Sequence, residues 1–169
     1  MAKAIDLYCH ALKYVIALFL AVMVVLVFGN VVLRYGFNSG IVVSEELSRW
    51  LMVWLTFLGS VVALRERQHL GVDTLVILLP PLGKRICFLA SYGLMLFADW
   101  LLLSGSWSQV LITMGDRAPA TNLSVGIFYS AGIVFGISAG VILIYDIVRV
   151  IRGKLTEDEL VSVRESEEL

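Results

Sequence analysis

Asp99 sits in the middle of a long apolar stretch, with 13 uncharged residues back to Arg85 and 16 forward to Asp116. An acid that deep among apolar residues points either to a proton relay or to a hydrogen bond that ties helices together. A relay needs a second acid, His or Lys at the same depth, and the sequence offers none there. Ser60 and Ser138 do fall near that depth when counted from the ends of their own apolar stretches. The spacing therefore suggests a buried polar layer of Ser60, Asp99 and Ser138. In it the Asp99 carboxyl bonds to a serine or to a polar group of a partner.

A second cluster is Glu45, Glu46 and Arg49, at the start of another apolar stretch. Acids in a first helical turn suit the helix dipole, and Arg49 can lean back toward Glu45 at i−4 or Glu46 at i−3. The cluster reads as a self-contained cap or as a charged patch for a partner protein. His10 and His69 stand apart without ligand spacing, and Cys9 and Cys87 form no C-x-x-C pair. No nucleotide loop, metal set or nucleophile with its base is visible, so the reading is non-enzymatic, with no cofactor.

These residues must be positioned by membrane helices. Of the 169 residues, 59% are hydrophobic, and mean hydropathy is +0.89, which calls for lipid as solvent. A net charge of −1 gives no field for nucleic acid. A span needs roughly 20 apolar residues. Four stretches meet this: 14–33, 44–64, 86–115 and 122–145. Ser44 is expected to cap the second, and Pro119 to precede the fourth. A cleaved signal peptide is the competing account of the first stretch, but no small-x-small site follows it. Val72–Leu79, ended by Pro80 and Pro81, reads as a short interfacial helix or as the extended end of the second span. The expectation is an all-α integral membrane protein: a four-helix domain over 1–153 and an acidic tail over 154–169.

Ten Lys and Arg fall on the side holding both termini and the middle loop, and three (Arg34, Arg49, Arg117) on the other. The positive-inside rule places both termini in the cytoplasm. Gly132, Gly136 and Gly140 share one helix face, a surface for close packing within the bundle or against another subunit. Gly59 with Ala63, and Ser104 with Ser108, repeat the pattern. Trp50 suits the outer interface, with Trp107 near it, whereas Trp54 and Trp100 lie deeper and require protein cover.

Between Asn30 and Asp73 the motifs N-V-V-L-R-Y (30–35), S-E-E-L-S-R (44–49), W-L-T-F-L-G (54–59) and A-L-R-E-R-Q-H (63–69) follow in order. With D-R-A-P-A-T-N-L (116–123), this series resembles the small membrane subunit (DctQ-type) of tripartite ATP-independent periplasmic (TRAP) transporters. The resemblance implies a scaffold subunit in the bacterial inner membrane, among membrane lipids. It would brace a large multi-span subunit that carries the sodium and substrate sites and moves substrate in an elevator-like manner. A periplasmic substrate-binding protein, usually for an organic acid anion, would dock on the outer face. By position, Arg34, Tyr35, Glu45, Glu46, Arg49, Asp116 and Arg117 become candidate outer-face contacts. Arg65, Arg67 and His69 become candidate inner-face contacts. The rival reading is a stand-alone four-helix channel or small carrier acting as a homo-oligomer, with Asp99 on its path. Sparse polar residues on the spans weigh against a pore. A third is an assembly or regulatory protein without a role in flux.

Overall fold

The computed structural model describes residues 2–66 and 81–151, so Arg67, His69, the 72–79 segment and the 154–169 tail lie outside the described residues. Four helices carry the described chain: α1 (Ala2–Gly36), α2 (Val42–Arg65), α3 (Pro81–Thr113) and α4 (Gly126–Ile151). Each is long and apolar enough to cross a membrane, and the protein is an all-α integral membrane protein. Among the described residues the sole β pairing is an isolated bridge between Arg117 and Ser124.

The helix ends follow local chemistry. Asn38 takes a left-handed φ of 51° just beyond α1, and the Ser39 and Phe37 amides both return to the Leu33 carbonyl, a closure that satisfies orphan acceptors. Pro81 occupies the first position of α3, where its missing N–H has no helical partner to lose. Two starts differ from the sequence expectation. Helix α2 begins at Val42 with Ile41 in the cap position, because the Ser44 hydroxyl is turned sideways and donates to the Leu26 carbonyl of α1 at 2.7 Å. Helix α4 begins at Gly126, not Asn122, because Asn122 has φ 58°, a left-handed conformation that a helix cannot include.

The helices pack as a row, α1 on α2, α2 on α4 and α4 on α3. The core lies at the α1–α2–α4 junction, where Leu12, Leu58, Val61, Val62 and Ile142 are buried together. Trp54 and Phe135 close over it. Only 6% of the most apolar window of α1 and of α3 is buried within the chain, against 33% for α2 and α4. The two end helices thus present apolar faces that the described residues leave largely open.

Candidate functional site

Three places on this row bring polar side chains together. The first is the end carrying the 37–41 and 114–125 connections. Glu46, in the second turn of α2, accepts hydrogen bonds from the backbone amides of Ala120 (3.0 Å) and Thr121 (3.2 Å) and from the Thr121 hydroxyl. It therefore clasps the α3–α4 connection onto α2. Within that connection the Ala118 amide donates to Leu123, Val125 to Asp116, and the Arg117 guanidinium to the Asn122 carbonyl. Buried Asn30 does the same for the α1–α2 turn: its Oδ1 accepts from the Ile41 amide at 2.7 Å, and its Nδ2 donates to Glu45 Oε1 at 3.2 Å. Glu45 also lies 3.7 Å from Arg34.

The Glu45–Glu46–Arg49 cap is therefore replaced by two separate attachments. Glu45 faces α1 and Glu46 faces the α3–α4 connection, so Arg49 is left exposed without an ion pair among the described residues. Arg34, Arg49, Asp116 and Arg117 are exposed at this end, with Tyr35 84% exposed. Trp50, near the start of α2, is buried against Phe128, and Trp107 is exposed.

The second place is at the opposite end, where α1, α2 and α4 meet. Arg65 donates through Nε and Nη2 to Asp6 Oδ1 (3.0 and 2.8 Å), and its Nη1 lies 4.0 Å from the buried Asp146. Lys13 pairs with Glu66 alongside, and Cys9, His10 and Arg149 complete the walls of a cleft of about 520 Å³. Three helices are tied by charge here, and neither Asp6 nor Asp146 stood out in the sequence. Asp146 lies one residue beyond the expected end of the last span, and its relation to Arg65 spans 81 residues, beyond any local motif.

The third is the α3–α4 seam. A Cβ on Gly132 would collide with Ser106 Oγ and stand 3.0 Å from Ser106 Cβ. One on Gly136 would stand 3.0 Å from Leu103 Cβ, and one on Gly140 would stand 3.2 Å from Asp99 Oδ2. The three glycines are the strip on which α3 lies. The polar layer does not form: Ser60 donates to the Thr56 carbonyl, and Ser138 donates to Val134 and meets Tyr8 at 2.9 Å. Serine hydroxyls in a helix find the preceding turn closer than another helix. Trp54 donates from Nε1 to the Ile127 carbonyl and packs on the core, whereas Trp100 is 59% exposed. No cluster of three or more metal-type ligands occurs among the described residues.

Residues 23–153 match the family described as tripartite ATP-independent periplasmic transporters, DctQ component. The chain belongs to the DctQ family. It is 44% identical over 142 residues, 84% of each chain, to a Haemophilus influenzae protein named as a TRAP transporter small permease. A second Haemophilus influenzae protein of the same name is 32% identical over 149 residues, 88% of each chain. A Vibrio cholerae protein, named C4-dicarboxylate TRAP transporter small permease protein DctQ, is 31% identical over 106 residues, 63% of this chain and 46% of that one. Membership of the DctQ family makes the chain a multi-pass membrane subunit of a transporter.

Membership gives the motifs a physical reading. In the DctQ chain, Asn30, Ser44, Glu45, Glu46 and Ser48 all bond inward, to another element or to the preceding turn. Arg34, Tyr35 and Arg49 from the same motifs are the groups left outward. Asn30 was visible only as the first letter of its motif, and a buried amide before a short turn is the signal that could have marked it.

Proposed function

We propose that this DctQ-family chain is the non-catalytic small membrane subunit of a sodium-coupled, binding-protein-dependent secondary transporter for organic acid anions. It braces a large transport subunit and contributes to docking of a periplasmic substrate-binding protein. The observation that carries this reading is the row of helices: in the apolar windows of α1 and α3 only 6% of residues are fully buried among the described residues. A large hydrophobic subunit is the partner that such faces suit. The anion class is supported by the name of the Vibrio cholerae relative, a C4-dicarboxylate transporter subunit.

The Lys and Arg distribution supports an inner-membrane orientation with both termini cytoplasmic, so the end held by Asn30 and Glu46 faces the periplasm. There Arg34, Tyr35, Arg49, Asp116 and Arg117 are offered to a docking protein on connections that Glu46 and Asn30 hold in place. Arg65, bound to Asp6 and near Asp146, instead joins helices at the cytoplasmic end.

The test is deletion of this chain in cells whose membranes keep normal amounts of the large subunit, with sodium-dependent uptake of a dicarboxylate as the readout. Uptake should be abolished and return with the intact chain. Unchanged uptake would refute a role in transport, and transport by the purified chain alone would establish the channel reading in its place.

A further inference from the structure

Asp99 is buried in the middle of α3, 8% exposed, and its Oδ1 has no hydrogen-bond partner among the described residues. Its position is central in the span Ile86–Thr113, about 20 Å from either end at 1.5 Å per residue. Water is absent at that depth, and a carboxyl oxygen without a donor is costly in hydrocarbon. The hydroxyls at comparable depth in this chain are committed: Ser60 to Thr56, and Ser138 to Val134 and Tyr8.

Asp99 opens into a groove of about 600 Å³ between α3 and α4. Gly93, Leu96 and Trp100 line one wall at helical spacing, and Ile137, Val141 and Ile144 line the other. Phe97 and Trp100, stacked with centroids 6.4 Å apart, are each 59% exposed on its rim. An added Cβ on Gly93 would meet nothing within 4 Å, so a backbone can approach closely there. An acyl chain could fill the volume but would bring no donor to Asp99.

We propose that this groove receives a transmembrane helix of the large transport subunit, and that a hydrogen-bond donor on that helix meets the Asp99 carboxyl, rotated from the seam toward the groove, at mid-membrane depth. The proposal rests on the subunit reading above and adds to it the face, the depth and the complementary chemistry. A helix is the occupant that supplies a side-chain donor while satisfying its own backbone. Its donor would be a hydroxyl, amide or cationic group held among apolar neighbours.

The test uses cells expressing both subunits, with a benzophenone photo-crosslinking residue replacing Phe97 or, on α1, Leu18. Asp99→Leu and Asp99→Asn are compared with the unaltered chain for copurified large subunit at equal amounts in the membrane. The expected result is an adduct with the large subunit from position 97. Asp99→Leu should lower copurification by about threefold to tenfold, whereas Asp99→Asn, which keeps an acceptor, should retain at least about half. The groove is overturned, with the subunit reading intact, if the large subunit copurifies equally with Asp99→Leu. Adducts from position 97 only with lipid or a second copy of the chain, alongside a large-subunit adduct from position 18, overturn it likewise. Absence of the large subunit from every adduct and every copurification overturns the subunit reading as well.

Discussion

A carboxylate near a helix start can act on its own helix through the dipole, or it can hold something else. Glu46 holds the α3–α4 connection, with three donors from Ala120 and Thr121 converging on its two oxygens. Glu46→Ala should therefore speed amide exchange at Ala120 and Thr121 about tenfold, with the amides of the α2–α4 core unchanged. Hydrogen exchange resolved to peptides of this connection checks it. Equal exchange in both chains would mean that the connection holds itself. Arg65 poses the converse case, a cation bonded to Asp6 of one helix and facing Asp146 of another, with its side chain 17% exposed and that of Asp146 only 3%. Removing one member of such a group leaves a buried charge behind. Arg65→Met should cost roughly 3 kcal/mol in thermal unfolding, and Arg65→Met with Asp146→Leu should recover most of that loss. If the double variant is no better than the single, the Arg65–Asp146 relation is not what stabilises this end.

Between elements, the sharpest contrast lies on the α3–α4 pair. Gly132 faces Ser106 across the seam, whereas an added Cβ on Gly105, only one residue from Ser106 on α3, would meet nothing. Gly132→Ala should destabilise the chain by about 1–3 kcal/mol, as overpacking does, while Gly105→Ala should be neutral or stabilising by up to about 1 kcal/mol through helix propensity. Thermal unfolding of the two variants in the same detergent compares them directly, and equal effects would remove the seam from the account. Elements of this kind were legible in the sequence where one rule governs them. Apolar length marked all four spans, and the spacing of four marked the glycine face. Three of their ends were not, because each depends on a partner distant in sequence. Ser44 is claimed by Leu26 of α1, the last helix runs past Asp146 toward Arg65, and Asn122 is held left-handed in a connection clasped by Glu46. Of the two readings of the charged cluster, the self-contained cap gives way for the same reason: i, i+4 proximity connects Glu45 to Arg49 on paper, but Asn30 and Arg34 of α1 lie closer in space.

At the scale of the molecule, the row has an economy unlike that of a closed bundle. A closed four-helix bundle buries one stripe of every helix, whereas here α1 and α3 hold few fully buried residues, and α3 is attached through α4. Without a hydrophobic drive between helices in lipid, such an end helix depends on packing, small residues and hydrogen bonds for its place. Side chains such as Leu18 (60% exposed), Phe28 (68%) and Leu94 (70%) are mostly uncovered among the described residues. The complex should consequently be more stable than the chain alone. Copurified with the large subunit, the chain should unfold roughly 5–10 °C higher than by itself in the same detergent, because a partner that binds only the folded form shifts the unfolding equilibrium. The gain should appear first in α3, whose α4-facing seam is its main attachment, and tryptophan fluorescence from Trp100 and Trp107 reports on that helix. A chain that melts at the same temperature alone and in complex would show that its uncovered faces meet lipid in the working transporter, and that the bracing role lies with the connections at its ends.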